Sequence, residues 1–315
     1  MIPMVDDHGR RMRKLRLSLL DTCNLRCTYC MPEKMEFLPS DQLLSQQEIL
    51  GITENLLGFG LQEVRVTGGE PTLRREFMDI MVGLSQLPIK RLGLTTNGIT
   101  LSKYLEDLKH DTDLKSINIS LDSLDPDNFK RITRRDLFQR VFKGIVQAQD
   151  LGFEVKLNCV LMKGVNDHEI HDFIEFSAQY QVEVRFLELM KIGQANRGSL
   201  KDSFMEADEA ANQILSRYEM SSLPVAMDST SYKYKLSNGA VIGFIASESK
   251  PFCGSCSRWR LSAEGQLRAC LMKEDGVNLR GVSPSDYESR LRELLGMKPI
   301  GRIEKIEQDM YQIGG

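Results

Sequence analysis

Three cysteines near the N-terminus have a spacing that suits a catalytic metal cluster. They occur as Cys23-x-x-x-Cys27-x-x-Cys30, directly after the apolar run 15–20, which is typical of a strand, so their sulfur atoms can converge beyond a strand end. A structural zinc site or an electron-transfer cluster is normally closed by four protein ligands, whereas a cluster held by three thiolates leaves one iron open for another molecule. These cysteines, the first trio, therefore indicate an iron–sulfur cluster used in catalysis.

A second trio lies near the C-terminus. Cys253 and Cys256 form a Cys-x-x-Cys pair, and Cys270 follows on a segment that is predicted to return as a strand. A Cys-x-x-Cys pair alone could be a zinc site or a redox pair. The third cysteine and the lack of a nearby histidine favour a second cluster with three protein ligands, and zinc stays the alternative.

Two arginines accompany the second trio. In an extended segment, Cys256, Arg258 and Arg260 lie on one side of the chain, because strand side chains alternate between faces. Guanidinium groups bind carboxylates and phosphates through two hydrogen bonds at once. We therefore expect an anionic ligand beside the second trio, and the alternative of solvated surface arginines fits less well beside the apolar Trp259 and Leu261.

The composition limits the class of protein. The chain has 315 residues, of which 41% are hydrophobic and 27% charged, as in ordinary globular proteins. No apolar run approaches the roughly 20 residues of a membrane span, and no cleavage site follows the basic segment 10–14, so we expect a cytoplasmic protein with no membrane partner. The formal net charge is −3, which gives no reason to expect a nucleic acid partner and means that an anionic substrate would need local cations.

The seven cysteines are expected to be reduced. Without a secretory signal, two separated trios indicate metal ligands in preference to disulfides. The remaining cysteine, Cys159, is expected to be a small buried apolar side chain.

Six β-like runs alternate with amphipathic segments in the first two thirds of the chain. The predicted strands are 15–20, 63–67, 91–95, 117–122, 154–161 and 182–189. The first intervening segment begins with a capping box, Ser45-x-x-Glu48, which predicts the start of a helix. Repeats of about 30 residues of this kind predict a parallel sheet with helices between its strands.

The predicted strands share a polar face. Apolar residues alternate with Arg16, Arg65, Lys156 and Arg185. A sheet covered by helices on both faces would be apolar on both, so helices are expected on one face only, and the polar face should line the interior of an incomplete barrel. Each cation alone could instead snorkel or pair with a carboxylate, and for Arg185 we keep the ion-pair interpretation because Glu183 and Glu188 are close in sequence.

Glycine-rich turns and later elements complete the pattern. Two of the strands are followed by turns that contain glycine, Gly68-Gly69-Glu70-Pro71 and Thr95-Thr96-Asn97-Gly98. Glycines there would let the backbone approach a ligand, and an ordinary strand-to-helix turn is the alternative. After residue 190 we predict a loop at 191–202, helices at 206–218 and 284–295, and a hairpin of strands 231–236 and 240–246 around Asn238-Gly239.

These motifs together resemble a known family. The first trio, with Tyr29 before its last cysteine, and the Gly-Gly-Glu-Pro turn resemble the radical S-adenosylmethionine superfamily. The second trio with Arg258 and Arg260, and the terminal Gly314-Gly315, resemble more closely its GTP 3',8-cyclase (MoaA) family of molybdenum cofactor biosynthesis. The resemblance runs from about residue 15 to residue 315.

The resemblance implies an activity and its cofactors. The first of two [4Fe–4S] clusters would cleave S-adenosylmethionine reductively to a 5'-deoxyadenosyl radical, which removes the ribose 3' hydrogen of GTP so that the carbon radical attacks C8 of guanine. The product would be (8S)-3',8-cyclo-7,8-dihydroguanosine 5'-triphosphate. An external electron donor is implied, and a homodimer is allowed.

The resemblance also assigns residues. The metal ligands would be Cys23, Cys27, Cys30, Cys253, Cys256 and Cys270. The S-adenosylmethionine site would comprise Tyr29, Gly69, Ser120 and Met190. The GTP site would comprise Arg16, Arg65, Thr96, Lys156, Arg258, Trp259 and Arg260. Arg258, Arg260, Gly314 and Gly315 would have catalytic roles. The resemblance implies that the two terminal glycines reach into the active site, whereas the sequence without the resemblance would suggest a frayed tail.

The expected fold is α/β, an incomplete (β/α)6 TIM-like barrel at 1–220 with a C-terminal subdomain at 221–315 that carries the second cluster. Ser257 and Lys191 depart from the family, which usually has Asn and Pro there, and this puts local geometry in doubt. Two other functions remain open: a peptide-modifying radical enzyme with an auxiliary cluster, and a non-catalytic protein that binds metal and an anionic nucleotide.

Overall fold

A computed structural model describes residues 2–314, without the side chain of Ser199. The strands in chain order are β1 Lys14–Ser18, β2 Glu63–Thr67, β3 Arg91–Thr96, β4 Ser116–Ser120, β5 Glu154–Leu161, β6 Glu183–Glu188, β7 Met220–Leu223, β8 Tyr232–Leu236, β9 Val241–Ile245, β10 Arg258–Leu261, β11 Gln266–Arg268 and β12 Val277–Asn278. The α-helices are α1 Gln46–Gly58, α2 Phe77–Gln86, α3 Leu105–Asp111, α4 Pro126–Thr133, α5 Phe138–Asp150, α6 Ile170–Tyr180, α7 Ala207–Leu215, α8 Tyr287–Gly296 and α9 Met310–Ile313. All six predicted strands of the barrel are present, and β2 and β5 have the predicted bounds.

The strands form one sheet in the order β12-β11-β10-β1-β2-β3-β4-β5-β6-β9-β8-β7. Strands β1 to β6 pair in parallel with their neighbours in sequence. The C-terminal strands extend this array, because β10 pairs in parallel with β1 and β9 pairs in parallel with β6. The fold is therefore an α/β, TIM-like incomplete barrel, as the sequence predicts. The domain boundary at residue 220 stays a prediction, since strands from both sides of it join the same sheet.

The predicted alternation of faces is confirmed in the strands. In β1, Leu15 and Leu17 are buried in the hydrophobic core, whereas Arg16 lies between them and so points to the other face. Helix α1 starts at the predicted capping box, in which the Glu48 N–H donates to Ser45 Oγ at 3.2 Å and the Ser45 N–H donates to Glu48 Oε2 at 2.7 Å. Helices therefore cover the apolar face and leave the polar face for a lumen.

The loop between β7 and β8 ties the two sides of the parallel array together. Its Asp228 carboxylate accepts hydrogen bonds from Lys14 Nζ at 3.1 Å, Arg13 Nε at 3.2 Å and Ser257 Oγ at 2.5 Å. The carbonyl of Asp228 also accepts from Arg258 Nη2 at 2.9 Å. This loop thus connects β8 to β1 and β10 without a strand pair, and it gives Ser257 a specific partner.

The helices of residues 2–314 include none that is both long and apolar enough to cross a membrane.

Candidate active site

The first trio lies in the loop after β1, and its three thiols are partly buried. Burial, followed by the charge of Glu70, raises the pKa of Cys23 to about 11. Burial also raises the pKa of Cys27 and of Cys30. Repulsion from the Cys23 sulfur raises both pKa values further. The loop therefore gathers three partly buried thiols whose ionisation is unfavourable without a nearby positive charge.

The Gly-Gly-Glu-Pro turn packs directly on the first trio's loop. A β-carbon at Gly69 would overlap the carbonyl oxygens of Asp21 and Thr22, so only glycine fits there. The Gly69 N–H donates to the carbonyl of Leu20 at 2.7 Å, and the Glu70 N–H donates to that of Thr22 at 2.8 Å. The turn after β2 and the cysteine loop after β1 are therefore fixed to each other.

The carboxylate of Glu70 organises the rim of the barrel from a fully buried position. It accepts from Thr96 Oγ1 at 2.7 Å, from the Asn97 N–H at 2.6 Å and from the Thr72 N–H at 3.2 Å. Burial raises its pKa, and these hydrogen bonds oppose that effect. The Thr96 hydroxyl, a predicted GTP contact, donates to Glu70 in this structure.

Asn97 connects this network to the first trio. Its Nδ2 lies 3.6 Å from Cys23 Sγ and donates to Asn24 Oδ1 at 2.7 Å. The sequence marked Asn97 only as part of a turn that could approach a ligand.

The four residues predicted for S-adenosylmethionine lie at or just beyond the carboxyl ends of strands or in the first trio's loop. Gly69 follows β2, Ser120 ends β4, and Met190 follows β6. Tyr29 donates its hydroxyl to Asp122 Oδ2 at 2.8 Å, and burial raises the pKa of Asp122 to about 6. The carboxyl ends of parallel strands meet at one rim, which is where barrel enzymes build active sites.

A row of arginines crosses the lumen face. In the strand register Arg16 stands opposite Arg65 on one side and opposite Arg260 on the other. Burial, then the charges of Arg260, Arg65 and Arg258, hold the pKa of Arg16 well below its ordinary value. Burial lowers the pKa of Arg260 to about 10 as well.

Four arginines of the lumen have no carboxylate partner among the residues that the structure describes. Within residues 2–314, Arg16, Arg65, Arg258 and Arg260 form no salt bridge. Arg16, Arg65 and Arg258 line a pocket at the amino-terminal ends of the strands, together with Lys14, Arg91 and one carboxylate, that of Glu63, which lies 3.6 Å from Lys14 Nζ. Partly buried, mutually repelling guanidiniums are costly unless an anion joins them, so this pocket suits a multiply charged anion.

Two other lumen cations do have partners. Lys156 Nζ lies 2.6 Å from Glu154 Oε1, and Arg185 Nε lies 2.5 Å from Glu183 Oε1. The predicted ion pair of Arg185 is thus confirmed with Glu183, whereas Glu188 accepts backbone N–H groups of Ala207 and of residues 248–249.

The second trio lies at the start of β10 and after β11, beside cations. Cys256 Sγ is 3.7 Å from Arg258 Nη1 and 3.6 Å from Lys298 Nζ. Burial acts to raise the pKa of Cys256, but Lys298 and then Arg258 outweigh it and hold that pKa below its usual value. A thiol favoured as thiolate suits a metal ligand. Lys298 and Asp228 carry no motif, so no sequence signal could have placed them at this site.

Trp259 differs from its neighbours on β10. Its side chain is fully buried in the core, on the opposite face to Arg258 and Arg260. Its assignment to the GTP site stays a prediction. Because the side chain faces the core, only the backbone of Trp259 could contact GTP.

The C-terminal tail enters the barrel. The Gly314 carbonyl accepts from Arg260 Nη1 at 3.0 Å. Gly314 has φ +79°, and a β-carbon there would lie 2.7 Å from Ser18 Cβ, so a larger residue does not fit. Gly315 lies outside the described residues. Helix α9 is held from its start, because Gln194 Nε2 donates to Asp309 Oδ1 at 3.1 Å.

No group of three or more His, Cys, Asp or Glu side chains in residues 2–314 is arranged to hold a metal ion. The assignment of the six trio cysteines as ligands therefore stays a prediction, supported by the burial and the charges described above.

Comparisons with known proteins agree with this arrangement. A model of the radical SAM superfamily matches residues 17–177, and one named Molybdenum Cofactor Synthesis C matches residues 182–306. A GTP 3',8-cyclase of Synechocystis sp. is 47% identical over 99% of this chain and 95% of that protein. One from Clostridium botulinum is 39% identical over 99% of this chain and 100% of that protein, and one from Pseudomonas fluorescens is 35% identical over 98% and 96%.

Solved structures share the fold. Streptococcus suis SuiB bound to S-adenosylmethionine aligns with a TM-score of 0.66 over 92% of this chain and 68% of that chain, at 13% identity. That identity supports a common fold alone, whereas the full-length relatives support a closer relationship. The chain belongs to the GTP 3',8-cyclase family of the radical SAM superfamily.

Proposed function

We propose that the protein converts GTP to (8S)-3',8-cyclo-7,8-dihydroguanosine 5'-triphosphate, the first step of molybdenum cofactor biosynthesis. It uses two [4Fe–4S] clusters and S-adenosylmethionine, and it takes an electron from an external donor. The observation that carries this proposal is the row formed by Arg16, Arg65, Arg258 and Arg260, which has no carboxylate partner within residues 2–314. A nucleoside triphosphate supplies the missing negative charge.

The carboxyl rim of the barrel makes the radical site. Cys23, Cys27 and Cys30 hold the first cluster, which with bound S-adenosylmethionine supplies a 5'-deoxyadenosyl radical. Tyr29, Gly69, Ser120 and Met190 bind S-adenosylmethionine. The close packing of Gly69 on the carbonyls of Asp21 and Thr22 supports this role, since it holds the turn against the loop that carries the first trio.

The lumen positions the substrate. Arg16, Arg65, Thr96, Lys156 and the segment Arg258-Trp259-Arg260 bind GTP. Lys156 is paired with Glu154 at 2.6 Å, so GTP competes with Glu154 for this ammonium. Fixing the ribose against the radical site lowers the barrier by orientation, which is the protein's share of the reaction when a cofactor carries the chemistry.

The second trio and the tail complete the site. Cys253, Cys256 and Cys270 hold the second cluster, and Arg258 and Arg260 act between it and the substrate. Gly314 and Gly315 act together with the same arginines, and for Gly314 the 3.0 Å hydrogen bond from Arg260 Nη1 to its carbonyl supports this role. We further propose that residues 1–220 form the radical domain and residues 221–315 the auxiliary-cluster subdomain, in a cytoplasmic enzyme that can form a homodimer and binds no nucleic acid.

One anaerobic assay tests the function. Protein reconstituted with iron and sulfide and reduced with dithionite is incubated with GTP and S-adenosylmethionine, and both nucleotides are followed by chromatography and mass spectrometry. We expect one 5'-deoxyadenosine for each cyclised GTP, and about eight irons per chain for two four-iron clusters. A C256S variant provides the control, because it keeps the first trio.

Two outcomes would overturn the proposal. Consumption of S-adenosylmethionine with GTP unchanged would mean that the radical acts on another substrate, such as a peptide. Zinc at the second trio without cyclisation would favour a protein that only binds metal and nucleotide.

A further inference from the structure

Lys298 lies beside the second trio and is almost fully buried, at 7% exposed. An ammonium group has three N–H donors, and each has an acceptor here. Lys298 Nζ lies 2.7 Å from the carbonyl of Ala269, 3.1 Å from the carbonyl of Arg258 and 3.6 Å from Cys256 Sγ. None of the three N–H groups of this ammonium is therefore free to bind water.

The three acceptors lie on or next to two neighbouring strands, since Cys256 precedes β10, Arg258 begins β10 and Ala269 follows β11. The pairing of β10 with β11 includes Arg260 opposite Arg268. Beyond that pair, the carbonyls of Arg258 and Ala269 both accept from Lys298. The ammonium therefore joins the two strands at the end where Cys256 and Cys270 lie.

Cys253, the remaining member of the second trio, is tied to the same segment through Arg10. Arg10 Nη1 donates to the carbonyl of Pro299 at 2.7 Å and to that of Cys253 at 3.0 Å. Its Nε lies 2.5 Å from Asp6 Oδ2, which neutralises Arg10. One buried network therefore connects the backbone around Lys298 to every member of the second trio.

Lys298 is not paired with a carboxylate in the described part of the chain. It forms no salt bridge in the part of the chain from residue 2 to residue 314. A buried ammonium without a counter-charge is costly. The sulfur of Cys256, which accepts a hydrogen bond from Lys298, supplies a counter-charge when it is a thiolate, as it is when it ligates metal.

We propose that Lys298 is a positioning residue of the second cluster, which fixes the cysteine-bearing strands and raises the reduction potential of the cluster bound to them. The inference rests on the second cluster of the proposed function. The potentials of iron–sulfur clusters depend on net charge and on hydrogen bonds to the sulfurs. A buried cation that bonds a ligand sulfur stabilises the reduced cluster, which carries one more negative charge, more than the oxidised cluster.

The test compares K298M with a matched control, K273M, in anaerobically reconstituted full-length protein. Lys273 makes a suitable control because its ammonium bonds the carbonyl of Met297 at 3.2 Å and the carboxylate of Asp275 at 2.9 Å. Iron content is measured first. The two clusters are then titrated with dithionite and followed by electron paramagnetic resonance, with S-adenosylmethionine added to shift the signal of the first cluster and so separate the two.

In K298M we expect reduction of the second cluster to be at least about tenfold less favourable, which is about 59 mV lower for one electron. The potential of the first cluster, and both potentials in K273M, should match the wild type. If K298M keeps about four irons while K273M keeps about eight, the holding role is supported, and the potential is then measured in K298Q, which retains a donor without the charge.

Two results would count against the idea in different ways. About eight irons in K298M with an unchanged second potential would overturn the role of Lys298. About four irons in the wild type would instead remove the second cluster from the proposed function, which is a separate failure.

Discussion

Replacing Arg65 by methionine should make the protein more stable and its GTP binding weaker. Arg65 is packed against Gly93, where a β-carbon would lie 2.8 Å from the guanidinium carbon, and it donates to the carbonyl of Leu94 at 3.1 Å. Burial, then the charge of Arg185, lowers its pKa from 12.5 to about 10. At about 1.36 kcal/mol per pKa unit, this difference corresponds to about 3 kcal/mol against the charged form in the folded protein.

The lowered pKa of Arg65 means that its charge destabilises the folded protein. A cation whose pKa is lower in the folded state than in the unfolded state opposes folding at every pH below both values, including pH 7. Methionine fills a similar volume without charge, so R65M should raise the free energy of unfolding by about 1–3 kcal/mol, after the loss of the hydrogen bond to Leu94. Losing one charge-assisted contact to phosphate should weaken GTP binding by about 1.5–3 kcal/mol, or roughly 10- to 100-fold.

Two measurements check this prediction in the protein with both clusters. The midpoint of guanidinium unfolding without GTP reports stability, and anaerobic equilibrium dialysis reports the Kd for GTP. R75M serves as the control, since Arg75 is exposed and should change neither quantity. A destabilised R65M protein that binds GTP as the wild type does would refute the reasoning and make Arg65 a structural residue.

Three further changes test other parts of the site. G69A should abolish S-adenosylmethionine binding in equilibrium dialysis, because its β-carbon would overlap the carbonyls of Asp21 and Thr22; binding at the wild-type Kd would contradict this. D228A should lower the free energy of unfolding by about 2–4 kcal/mol and raise the KM for GTP, because it breaks the hydrogen bonds to Lys14 and Ser257. An unchanged KM would mean that this loop does not help to position Arg258 for GTP. R280M should lower the free energy of unfolding only slightly at pH 7, because solvent screens this exposed pair. Since the hydrogen bond from Arg280 lowers the pKa of Glu48 from 4.5 to about 2, the part of the stability difference that comes from this pair should fade as the pH falls through that range. The part that comes from the hydrogen bonds of Arg280 to the carbonyls of Gln42 and Leu43 should remain. A difference that stays constant down to pH 2 would mean that the pair contributes nothing to it.

Local patterns predicted the elements well for physical reasons that act locally. The capping box of Ser45 and Glu48 and the alternation around Arg16 depend on neighbours within a few residues, and both are present as expected. The predicted hairpin is found as β8 and β9, with Gly239 at φ +89° in its turn. The pairing of β10 with β1 involves residues more than two hundred positions apart, and no local pattern specifies such a neighbour.

Spacing and alternation are properties of the chain, so the two cysteine trios, the cationic face of the strands and the resemblance to a radical enzyme are all visible in the sequence. Which of these cations have partners depends on how the strands assemble. The tertiary structure pairs Lys156 with Glu154 and leaves Arg16 and Arg65 without a carboxylate in residues 2–314. It also brings Lys298 to Cys256 and Gly314 to Arg260. Charges interact over ångströms in space, and the distances between residues remote in sequence exist only once the sheet has assembled.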